Sequence, residues 1–136
     1  CHAGLYIDLD GFKAINDTLG HDQGDAVLCT VARRLVAAVR QTDTVSRLGG
    51  DEFFVLAHDV DTRAGAVQLA EKLLKCIAEP LPGLADDSRL GASIGICVFC
   101  GGAKAENEPE EIIRFADRAM YQAKASGKNR YACAEH

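Results

Sequence analysis

The sequence predicts an α+β domain built on a largely antiparallel sheet. Three observations carry that expectation. Short apolar runs and amphipathic helical runs mix along the chain without strict β–α alternation. Two of the runs, Thr44–Leu48 and Glu52–Ala57, flank Gly49-Gly50-Asp51, the composition of a tight hairpin. The chain has 136 residues, 48% hydrophobic and 26% charged, which suits a single globular domain, residues 1–136, with a core of its own.

Taken in order, residues 3–9 (AGLYIDL) read as a short buried strand, apolar until Asp8. Gly24-Asp25 opens a helical pattern in which Val27, Leu28, Val31, Leu35, Val36 and Val39 recur at threes and fours. The hairpin follows. Thr62–Glu79 forms a second amphipathic helix on Ala66, Leu69, Leu73, Leu74 and Ile77, stopped before Pro80. Leu90–Phe99 is a strand thinned by glycines, a sign of close backbone approach or a bulge. Glu110–Ala125 is a third helix, with Pro109 near its start and Gly127 just past its end. Arg130–Cys133 closes the chain as a last short strand.

Composition excludes several classes. A net charge of −5 and a pI near 5.3 argue against a nucleic-acid partner, which needs a basic face. No apolar run approaches the ~18 residues of a membrane span, so direct membrane insertion is not expected. Six cysteines are scattered among aliphatic residues, and only Cys97 and Cys100 form a C-x-x-C. His2, His21, His58 and His136 offer no ligand spacing to complete a zinc site. Buried, reduced thiols in a cytoplasmic protein are the expectation.

Two acidic points stand out. Asp8 ends the first strand, and Asp10 would share its face if the strand continued. Asp51-Glu52 sits at the hairpin tip. Carboxylates brought from two turns to one spot suit Mg²⁺, which takes few protein ligands and leaves room for phosphate oxygens. Asp10 alone reads as a turn residue that bends the chain before it reads as a metal ligand.

The residues around these points are more specific than their spacing. Arg47-Leu48-Gly49-Gly50-Asp51-Glu52-Phe53 resembles the signature of the GGDEF family of bacterial diguanylate cyclases. Asp8-Leu9-Asp10-Gly11-Phe12-Lys13, Ile15-Asn16-Asp17, Gly20-His21 and Gly24-Asp25 are similar to the family's first block, in order and spacing. Ser93-Ile94-Gly95 resembles its late strand. Ala116 to Lys124 (ADRAMYQAK) and Gly127-Lys128-Asn129-Arg130 resemble its last helix and exit. The similarity covers essentially the whole chain.

The resemblance implies a palm-like, ferredoxin-related fold shared with nucleotide cyclases, here without the helical segment that usually precedes the first strand. It implies condensation of two GTP into cyclic di-GMP with release of two pyrophosphates, by a transient homodimer of domains. By similarity, Asp8, Asp51 and the carbonyl of Leu9 hold Mg²⁺, with Mn²⁺ as an alternative. Glu52 helps to deprotonate the ribose 3′-hydroxyl or supports the metal. Asn16 and Asp25 read guanine, although a turn residue and a helix-start charge would look the same. Gly49 and Gly50, the turn Gly11-Phe12-Lys13, and the side chains of Lys13, Lys124 and Lys128 contact substrate. Position 128 is often arginine in relatives, and lysine loses the bidentate fork. Arg40 and Asp43 form an R-x-x-D like the family's inhibitory product site, where a helix-end arginine and a turn aspartate are the plain alternative. The wording of the first and last blocks is most similar to cyclase halves of proteins that also carry an EAL phosphodiesterase domain, so attached sensory and EAL domains are expected partners. Two other readings stay open: a non-catalytic module that binds GTP or cyclic di-GMP to regulate an attached domain, and an interaction domain in which the thiols matter more than the carboxylates.

Overall fold

The computed structural model describes residues 1–60, 62–81, 90–100 and 109–135; His136 lies outside them. Five strands and four helices occur among these residues, in the order β1 (His2–Asp10), α1 (Phe12–Leu19), α2 (His21–Ala38), β2 (Thr44–Gly49), β3 (Glu52–Ala57), α3 (Arg63–Ile77), β4 (Gly91–Phe99), α4 (Pro109–Ala125) and β5 (Arg130–Cys133). The strands form one sheet in the order β2-β3-β1-β4-β5. Every pairing is antiparallel except β4 with β5, which is parallel. The α+β expectation holds, with β1 at the centre.

Strand alternation divides the residues between two faces. Leu5, Ile7 and Leu9 of β1, Phe53 and Val55 of β3, and Ile94 and Ile96 of β4 point to one side. There they meet Val27, Val31 and Leu35 of α2 and Ala66, Ala70, Leu73 and Ile77 of α3, forming the main core. Arg34 ties the two helices together: its guanidinium donates to the carbonyls of Glu79 (3.0 Å) and Pro80 (2.6 Å), a cation at the end of α3 where the helix dipole favours it. Thr62 caps the start of α3 by accepting from the Gly65 N–H at 3.0 Å.

The other face is covered by α4. Cys97, Ile112 and Ala116 form a smaller cluster there, with Tyr6, Phe54, Phe99 and Phe115 packed against it. A Cβ at Gly95 would lie 1.9 Å from the Ala116 carbonyl oxygen and 2.2 Å from the Met120 nitrogen. The glycine-thinned strand is thus a close backbone approach: α4 rests directly on β4.

Several boundaries depart from the sequence reading. The helix expected from Gly24-Asp25 starts at His21, and a further short helix, α1, precedes it. Gly20 (φ 89°) caps the two helices without any side-chain bond, so no Ser, Thr or Asp advertises the start. The same helix ends at Ala38, so Arg40 lies in the following loop instead of closing the helix. The thiol expectation is also corrected. Cys1 and Cys100 are joined by a disulfide, because His2 pairs with Phe99 and the next residues outward stand opposite each other. Cys29 is exposed. Among the four free cysteines only Cys97 is fully buried, and burial pushes its thiol pKa up.

Candidate active site

The carboxylates gather where β1, the β2–β3 tip and the end of α4 meet. β1 runs on to Asp10, so Tyr6, Asp8 and Asp10 share the α4 face. Asp8 stands directly across from Glu52 in the β1–β3 register. Gly50 makes the turn possible with φ 49°, in the left-handed region, and the ladder slips between Arg47 and Gly49. Arg47 Nε donates to the Gly50 carbonyl at 3.0 Å, and the Leu9 N–H donates to the Asp51 carbonyl at 3.1 Å. The tip is therefore fastened to the end of β1, which brings Asp51 beside Asp8.

Asp8 is buried, and its Oδ2 accepts from Lys124 Nζ of α4 at 2.5 Å. Its Oδ1 is buried with no hydrogen-bond partner. Burial raises the Asp8 pKa, Lys124 opposes that rise, and the nearby Asp51 and Asp10 charges reinforce it. Lys124 pays desolvation in turn, but the bond to Asp8 leaves its own pKa raised. An orphaned carboxylate oxygen next to a second carboxylate is unfavourable in isolation and fits a hard divalent cation with oxygen ligands. Among the described residues no group of three or more His, Cys, Asp or Glu side chains is clustered to hold a metal. The donor set is thus two carboxylates, Asp8 and Asp51, that would need backbone or ligand oxygens to complete it.

Asp10 is committed elsewhere. It accepts from Ser93 Oγ (2.9 Å) and from the Asn129 N–H (2.8 Å), so it braces β1 to β4 and to the exit of α4. Glu52 accepts through Oε2 from the Tyr6 hydroxyl. Burial, then Glu52 itself, push the Tyr6 pKa upward, which keeps the phenol a donor.

The remaining positions flank this centre. Gly11 (φ 81°) opens α1. The Phe12 side chain is buried in the core, so only its backbone N–H can face a ligand, while Lys13 is exposed in the first turn. Asn16 lies against α2: a Cβ on Gly24 would sit 2.1 Å from its Oδ1, and the next residue along the helix is the exposed Asp25. Asn16 Nδ2 is also 3.2 Å from His21 Nδ1. Lys128 is exposed with φ 65°, and its N–H donates to the Ala123 carbonyl at 3.1 Å as α4 ends. Asp43 has a 3% exposed side chain. Its oxygens accept from the N–H groups of Arg40 and His58, each at 3.0 Å. Arg40 is 62% exposed and spends one nitrogen on the His58 carbonyl, 3.1 Å away.

A family model described as "Diguanylate cyclase, GGDEF domain" matches residues 1–130. The chain belongs to the GGDEF family. This GGDEF domain is 47% identical over 129 residues to the bifunctional diguanylate cyclase/cyclic di-GMP phosphodiesterase MucR of Pseudomonas aeruginosa, covering 95% of the chain and 18% of MucR. It is 40% identical over 132 residues to the diguanylate cyclase TpbB of the same species, covering 96% of the chain and 30% of TpbB. The crystal structure of the TpbB GGDEF domain superposes with a TM-score of 0.86 at 37% identity, covering 99% of this chain and 83% of that one. The chain thus spans less than a third of the length of these curated relatives. The palm-like cyclase fold expected from the resemblance is the fold observed.

Two residues of the GGDEF domain's polar face escaped sequence reasoning. Tyr6 looked like one more apolar strand position, and Asn129 was only one letter of the exit motif, with no role of its own. Only the strand register and the path of α4 bring them to Glu52 and Asp10. Among the described residues no helix is long and apolar enough to cross a membrane.

Proposed function

We propose that this GGDEF domain is a diguanylate cyclase that condenses two GTP into cyclic di-GMP and two pyrophosphates. The observation that carries the reading is the buried, unpartnered Oδ1 of Asp8 beside the Asp51 tip, in a chain of this family. Asp8, Asp51 and the Leu9 carbonyl would hold Mg²⁺ or Mn²⁺, which supplies charge neutralisation at the phosphate oxygens and acidifies a nearby hydroxyl. Lys13, the backbone N–H groups after Gly11, Lys124 and Lys128 bind the phosphates, Lys124 from its place against Asp8. Gly49 and Gly50 leave the tip open for substrate. Asn16 and Asp25 read guanine, since a carboxylate accepts from its N1–H and amine where adenine offers no donors. Glu52 takes the proton of the 3′-hydroxyl as that oxygen attacks the α-phosphorus of the other nucleotide and pyrophosphate leaves. Each domain holds one nucleotide, so two copies meet transiently face to face. Arg40 and Asp43 bind the product as an inhibitor, Asp43 accepting from a guanine N–H with lone pairs left beside the two backbone amides it already holds.

The domain works in the cytoplasm, attached to sensory and EAL-type domains. Another relative from Pseudomonas aeruginosa, the cyclic di-GMP phosphodiesterase NbdA, is 38% identical over 130 residues and is named for the opposite activity alone. That favours a second reading in which the domain only binds nucleotide and regulates its neighbour. Incubating the purified domain with GTP and Mg²⁺ and separating the products distinguishes them. Cyclic di-GMP is expected, and Asp51→Ala should lower its rate by at least about 100-fold, the loss of several kcal/mol of charge stabilisation. GTP binding without turnover supports the regulatory reading. Equal turnover by the two proteins rejects the assignment of the tip.

A further inference from the structure

We propose that Tyr6 is a positioning residue for Glu52, holding one carboxylate oxygen so that the other is presented to the reacting nucleotide. The geometry is a cross-strand diagonal. Asp8 pairs with Glu52 and Tyr6 with Phe54 in the antiparallel β1–β3 ladder, so the phenol on β1 reaches back to the carboxylate two residues away on β3. Its hydroxyl donates to Glu52 Oε2. The ring itself has little freedom. Phe54 meets it edge to face, with centroids 6.3 Å apart and planes at 78°. On the other side Tyr6 pairs with Gly95, where the backbone of α4 lies against the strand.

A glutamate has three side-chain torsions, and among the described residues the Tyr6 hydroxyl is the group that hydrogen-bonds its carboxylate. One charge-assisted bond from a ring already clamped on both sides removes most of that freedom before substrate arrives. Binding of the nucleotide uses other groups, on α1, α2 and the end of α4. The tether should therefore act on the chemical step and leave substrate affinity alone. This inference rests on Glu52 serving the proposed condensation.

The test combines activity with a readout that needs none. The chain has three tyrosines and no tryptophan, so tyrosine emission is seen directly, and a phenol donating to a carboxylate is quenched. Glu52→Gln and Glu52→Asp should raise the emission of the Tyr6 protein and leave that of the Tyr6→Phe protein unchanged. Tyr6→Phe keeps the ring against Phe54. It should lower kcat about tenfold, as expected for loss of one charge-assisted hydrogen bond, with KM for GTP held within about twofold. In the Glu52→Gln background the same substitution should cost nothing further. An emission rise of equal size in both backgrounds overturns the proposal, as does an unchanged kcat in a Tyr6→Phe protein that melts like the parent. If the unaltered domain makes no cyclic di-GMP, the cyclase reading fails, and the emission cycle alone decides whether Tyr6 holds Glu52.

Discussion

The two faces of the central sheet are built by the same strands and obey different rules. On the α2–α3 side, Leu5, Ile7 and Leu9 are each at most 1% exposed and contact a continuous apolar core. On the α4 side, Tyr6, Asp8 and Asp10 alternate with them along the same strand and each relies on one or two named partners. The first face is held by many weak contacts, none of them indispensable. The second is held by few strong ones, and one residue of register slip would exchange the two. Rigidity is supplied by one side and used by the other.

Substitutions that act on one face at a time sharpen this contrast. The largest effect should come from Leu5→Ala, which opens a cavity among the strands and should cost about 3 kcal/mol. Denaturant titration would show the loss, while turnover per folded molecule stays near the parent's. Next comes Gly95→Ala. Its methyl would meet α4 backbone instead of a yielding side chain, so about 2 kcal/mol should be lost. Unlike Leu5→Ala, it should also slow turnover, because α4 carries Lys124. Equal turnover losses in the two proteins would erase the distinction between the faces.

The smallest effect belongs to Cys97, on the α4 side. Burial raises its thiol pKa in the folded state. Its contribution is complete below the ordinary thiol value of 9.0 and fades at higher pH, where the unfolded chain ionises first. Stability should fall there by up to about 1.4 kcal/mol per pH unit. Cys97→Ala should flatten that limb in melts recorded from pH 7 to 10.

Much of this arrangement was legible in the sequence. The five strands and the three longer helices follow from apolar period, glycine and proline placement, and the hairpin composition, with boundaries shifted by at most three residues. Helix α1 was not visible because it is eight residues long, and its apolar positions are few; Phe12 and Ile15 could as well belong to a loop. The Asp8–Asp51 pairing was anticipated from motif order. Its partner Lys124 lies 116 residues from Asp8, and no local pattern reveals that the last helix returns to the first strand. Tyr6 and Asn129 needed the register itself. The Cys1–Cys100 bond, joining residues 99 apart, needed to place the ends of β1 and β4 side by side. Asp43 shows another case: a motif residue whose side chain also accepts from the backbone N–H groups of Arg40 and His58, a structural bond that the motif did not announce.

The bond from the Leu9 N–H to the Asp51 carbonyl gives the tip a clock. β2 is an edge strand with most of its residues exposed, and its amides can trade protons with water whenever the edge frays. Leu9 belongs to the central strand, whose other amides exchange only when the sheet comes apart. Its own amide is released whenever the tip lifts. Deuterium uptake at that single position, compared with Ile7 two residues earlier, measures how often the hairpin leaves its seat in a molecule that is otherwise fully folded.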